Sequence, residues 1–76
     1  MNILAKTEEQ AKQFANGQPY RYIKSSKDLF NHTDVPTHVL PEWKSMKRSC
    51  VRKRLVLMLK GMELSPRIEV VRHDID

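Results

Sequence analysis

Apolar and polar positions along this chain switch between a strand-like and a helix-like period, and the switches mark the elements. Asn2 to Ala5 carries the short apolar run Ile3-Leu4-Ala5 and predicts an opening strand. Thr7 follows as an N-cap whose hydroxyl can accept from a free first-turn amide. Gln10 completes a capping-box spacing, and Glu8 and Glu9 suit the positive end of the helix dipole. Ala11, Phe14 and Ala15 form the inward stripe of that helix, which Asn16-Gly17 ends and Pro19 keeps from resuming. Tyr20 to Lys24 reads as a second strand from its aromatic and β-branched content. Ser25-Ser26 before Lys27-Asp28-Leu29-Phe30 predicts one capped helical turn, Asn31 to Asp34 a loop, and Thr37 to Leu40 a strand between Pro36 and Pro41. Pro41 suits a first helical turn, so the longest helix is predicted from Glu42 to about Lys60, with Gly61 as its C-cap. Ser65-Pro66 stops it, Arg67 to Arg72 closes the chain as a strand, and His73 to Asp76 reads as a frayed tail.

The order is then β-α-β-turn-β-α-β. It predicts an α+β fold: a small, mostly antiparallel sheet of three to four strands, with a short N-terminal helix and one long helix packed on one face. With 76 residues and no linker-like stretch, residues 1–76 form a single domain. A chain of this size buries only about 60% of the surface it exposes when unfolded, so its core is thin.

Charge changes the picture more than composition does. Net charge is +5, from 14 Lys and Arg against nine Asp and Glu. Between Trp43 and Met62 lie Lys44, Lys47, Arg48, Arg52, Lys53, Arg54 and Lys60, and no acid. The other seven cations face all nine acids, a balance of −2. One segment of +7 therefore sits on a slightly acidic body.

On a continuous helix at about 100° per residue, Trp43, Met46, Cys50 and Leu57 would face the sheet. The candidate binding surface is then Lys44, Lys47, Arg48, Arg52 and Arg54, interleaved with Val51 and Leu55. Clustered Lys and Arg neutralise phosphates, and a helix fits a major groove. The leading expectation is accordingly a non-catalytic regulatory protein, of transcription-regulator type, that engages DNA or RNA through its basic helix. The alternative is a modulator or inhibitor that docks the Arg-rich helix on an acidic surface of a larger enzyme or assembly such as the transcription machinery, with the apolar residues as anchors. A solvated face that only keeps the protein in solution is the plainest account, but such faces mix both signs of charge. Tyr20, Arg21, Tyr22 and Lys24 form a possible secondary binding strand, since aromatics beside cations can stack on bases.

Catalytic and cofactor chemistry finds little footing. His32, His38, His73 and Cys50 lack the short spacing of a structural metal site, so no metal or other cofactor is expected. Gly17 and Gly61 are the only glycines, which leaves no phosphate-cradling glycine loop. Cys50 is expected to be a small core residue, and so short a chain has little room for a concave, water-excluding pocket; neither an enzyme nor a small-molecule substrate is expected. The single cysteine, the absence of a leader-like start and a longest apolar run of Leu55 to Leu59 predict a cytoplasmic protein, not bound to membrane.

Overall fold

A computed structural model of the chain describes residues 1–75. Strand β1 (Asn2–Leu4) leads into helix α1 (Glu8–Ala15), β2 (Arg21–Tyr22), α2 (Ser26–Phe30) and β3 (Thr37–Val39). A 3₁₀ turn, Trp43–Ser45, precedes α3 (Ser49–Glu63), and β4 (Val70–Arg72) follows. The strands form one sheet in the order β2-β1-β3-β4, and every pairing is parallel. Asn2 lies opposite both Arg21 and Thr37, and Thr37 opposite Val70.

The mostly antiparallel sheet expected from the sequence is therefore wrong. Parallel neighbours need a crossover between them, and here each crossover carries a helix. The one-turn segment read at Ser26–Phe30 is itself the crossover from β2 to β3. Two helices on one face are also overturned. Ile3 and Ala5 cluster with Ala11 and Ala15 of α1, whereas Leu4 clusters with Leu29 of α2 and Leu55, Leu59 and Met62 of α3. Successive residues of a strand point to opposite faces, so α1 covers one side of the sheet and α2 with α3 the other. The larger cluster also takes in Ile23, Val39, Trp43 and Met46.

Most local signals act as their chemistry requires, although Gln10 Oε1 finds no partner, so the Thr7–Gln10 capping box closes on one side only. Thr7 Oγ1 accepts from the Gln10 amide at 3.3 Å and Ser25 Oγ from that of Asp28 at 3.1 Å. Asn16 ends α1 in the left-handed region (φ 50°), which Asn tolerates better than most side chains. Gly61, expected as a cap, lies inside α3, which runs two residues further. The tail expected to fray is held in part: the His73 amide donates to Val39 O at 2.8 Å, and the Asp74 carboxylate is hydrogen-bonded. Asp76 lies outside the described residues.

The long helix expected from Glu42 is two segments. Glu42 has φ 67°, and Met46 is extended at φ −59°, ψ 146°, so the 3₁₀ turn and α3 do not share a phase. Trp43 and Met46 are buried as expected, but the inward face of α3 is Leu55, Leu59 and Met62. Cys50, expected in the core, is exposed, and so is Leu57. Leu55, expected on the binding surface, is 0% exposed and cannot act as an interface anchor in the folded state.

Candidate nucleic-acid interface

Because all four strands run the same way, the segments that leave their carboxyl ends converge on one rim of the sheet. From β1 the chain passes to β2 on one side, and from β3 to β4 on the other, so the winding reverses between β1 and β3. At such a reversal the outgoing segments diverge and leave a crevice, the usual ligand position in open parallel sheets. Here it measures about 380 Å³ and is lined by Lys6, Thr7, Tyr22, Lys24, Ser45, Met46, Lys47 and Arg48. It is a half-open groove at the rim, not the water-excluding pocket that so short a chain has little room for.

Lys6 and Thr7 come from the β1–α1 turn, Tyr22 and Lys24 from β2 and its exit, and Ser45 to Arg48 from the link into α3. Four of the eight lining residues are Lys or Arg and none is acidic. Lys24 is 3.7 Å from Glu8 in an exposed pair; Lys6, Lys47 and Arg48 form no ion pair among the described residues. Arg48 is also the N-cap position of α3, with no side-chain bond to the first turn and no acid within it. The positive end of a 15-residue helix therefore adds to the same cations. Tyr22 Oη donates a long hydrogen bond to Ala5 O at 3.4 Å, and its ring packs against the α1-side cluster. Burial, and then the charge of Glu8, push its phenol above the ordinary value, so the hydroxyl stays protonated.

The residues singled out by charge divide three ways. Lys47 and Arg48 join Tyr22 and Lys24 at this crevice, uniting members of two sets read as separate. Lys44 is exposed beside them, and its carbonyl accepts from Arg52 Nη1 at 2.8 Å, so Arg52 ties the 3₁₀ turn to α3. Arg54 is exposed further along α3, and Val51 is half-buried against the core. Arg21 points away, 3.6 Å from Asp28, and Tyr20 packs toward α1. Lys6 and Thr7 escaped the sequence reading because only the parallel order of β1 and β3 carries them to the basic link.

On the α1 face of the sheet, His38 of β3 and His73 meet at 3.0 Å between Nδ1 and Nε2, with Phe14 of α1 against both rings. The imidazole planes are 10° apart and the ring centroids 5.3 Å apart, an in-line hydrogen bond rather than a chelating pair. Burial, followed by the adjacent His73, pushes the His38 imidazole below its ordinary value. Among the described residues no three His, Cys, Asp or Glu side chains are grouped to hold a metal ion. No helix among them is long and apolar enough to cross a membrane. Comparison with protein families, curated proteins and solved structures finds no match to this chain.

Proposed function

We propose that this is a non-catalytic regulatory protein, working in the cytoplasm, that binds nucleic acid at the carboxyl rim of its sheet. The observation that carries this reading is the meeting of Lys6, Lys24, Lys47 and Arg48 around a crevice without an acid in its lining. A solvated face of a small domain would interleave Asp or Glu among such cations. Lys44, Lys53 and Arg54 are exposed on the same segment and extend the positive surface along the first turns of α3. This geometry suits a phosphate backbone that crosses the rim and follows α3. The competing partner, an acidic protein surface, loses ground because Leu55 is in the core and Val51 is half-buried, which removes much of the apolar anchorage it needs.

Titration of a labelled oligonucleotide across salt concentrations tests the reading. Binding through three to five phosphates gives log affinity falling linearly with log salt, at about −0.7 to −0.9 per phosphate neutralised. No oligonucleotide binding even in low salt, or an affinity that does not change with salt, would sink the proposal.

A further inference from the structure

The crevice combines two kinds of lining. Lys6, Lys24, Lys47, Arg48 and the uncapped start of α3 make it cationic, while Tyr22 and Met46 give it an aromatic ring and a thioether, and the exposed lining is mostly apolar. A duplex backbone needs only an open cationic surface, because its bases are stacked and paired inside. A concave site that combines an aromatic ring with cations is instead matched to a flat apolar ring that carries an anion. Its volume, about 380 Å³, lies at the lower end of the range for small-ligand pockets, roughly 300–1,000 Å³. That is a volume on the scale of a single nucleotide.

We infer that the crevice seats one unpaired nucleotide of a single strand, its base against Tyr22 and Met46 and its phosphate against Lys47 and Arg48. This rests on the nucleic-acid reading above and sharpens it from polyanion to single strand. Packing against the α1-side cluster, with the long bond from Tyr22 Oη to Ala5 O, restrains the ring before any ligand arrives, so stacking requires little reordering. Lys6 and Thr7, opposite the link into α3, are placed to meet the sugar or the next phosphate. Stacking on an aromatic ring tolerates any base, so the site is selective for unpaired over paired nucleic acid rather than for sequence.

The test measures three ligands at one salt concentration: a single-stranded oligonucleotide, the corresponding duplex, and heparin, a polyanion without bases. Single strand is expected to bind about tenfold or more tightly than duplex. Tyr22→Leu should lower the ratio of single-strand to heparin affinity about tenfold, and Tyr22→Phe should restore it. Thymidine 5′-monophosphate should compete with the single strand at concentrations where inorganic phosphate of equal ionic strength does not, a measurement that needs no variant. Equal affinity for single strand, duplex and heparin, with no selective competition by the mononucleotide, overturns the single-nucleotide site while leaving polyanion binding intact. No binding to any of the three overturns both. Competition by an acidic aromatic peptide but not by the mononucleotide assigns the crevice to a protein partner and likewise overturns it.

Discussion

A paired cation, Arg72, and an open set, Lys6, Lys47 and Arg48, stand at the carboxyl rim of the same sheet, and they are used in opposite ways. At the β4 end, Arg72 is consumed by the protein: Nε and Nη2 donate to the Asp74 carboxylate at 2.8 and 2.7 Å, and Nη1 donates to Glu63 at 2.7 Å. Asp74 also accepts from Trp43 Nε1 at 3.2 Å, so this cluster ties β4 to α3 and to the buried indole. Hydrogen bonds from Arg72 hold the Asp74 carboxyl below the usual range, and those carboxylates raise the Arg72 value in turn. At the other end, Lys6, Lys47 and Arg48 surround the crevice with no ion pair among the described residues. Charge alone does not separate the two groups; the partners do. A cation whose donors are already occupied contributes to the fold, and one held open at a concave site is available to a ligand.

Substitutions at the two ends should therefore fail in different assays. The largest stability effect belongs to the paired end: Trp43→Ala, removing a side chain 1% exposed and freeing Asp74, should cost about 3–5 kcal/mol in a denaturant melt. At the open end, Lys47→Glu with Arg48→Glu should reduce oligonucleotide affinity about a hundredfold, or about 2.7 kcal/mol. The same pair should not destabilise the fold: an acid at the uncapped start of α3 should raise stability by about 0.3–1 kcal/mol. Arg72→Ala reverses that profile, with a loss of about 1–2 kcal/mol in the melt and unchanged affinity. If Arg72→Ala impaired binding as much as the crevice pair, the division between the two ends would collapse.

Proton linkage gives finer versions of the same contrast. Asp74 has a depressed native pKa, so its stabilisation is present above the ordinary aspartate value of about 3.9 and is lost as pH falls through the native one. Asp74→Asn should flatten the acid limb of a stability–pH curve. The smallest effect is that of His38, whose lowered value makes the unfolded chain take up the proton first. Acidification below the ordinary value of about 6.5 should then erode stability until the folded imidazole also titrates, and His38→Gln should remove that slope.

What the sequence disclosed follows from how local each signal is. Thr7, Ser25 and Asn16 act within one helical turn, and their caps form where the residue types predict them. The location of all four strands was legible too, although their ends were drawn too long. Strand direction was not, because it depends on which neighbour each strand meets. The continuous run Ile3-Leu4-Ala5, buried on both faces, was the available sign of a central parallel strand. The basic segment was legible as a site but its phase was not, since an extended Met46 interrupts the helix without a proline or glycine to announce it. That break moved Leu55 inward and Cys50 outward. Lys6, 42 positions before Arg48 in sequence, belongs to the crevice through sheet topology alone.

The most direct test of the central claim is a map of backbone amide shifts as a single-stranded oligonucleotide is added to the labelled protein. The account predicts perturbations confined to residues 6–7, 22–24 and 44–54, with the amides of Val70 to Asp74 unmoved. Shifts concentrated on Val70 to Asp74 or the Phe14–His38–His73 cluster, or no shifts at all, would contradict it.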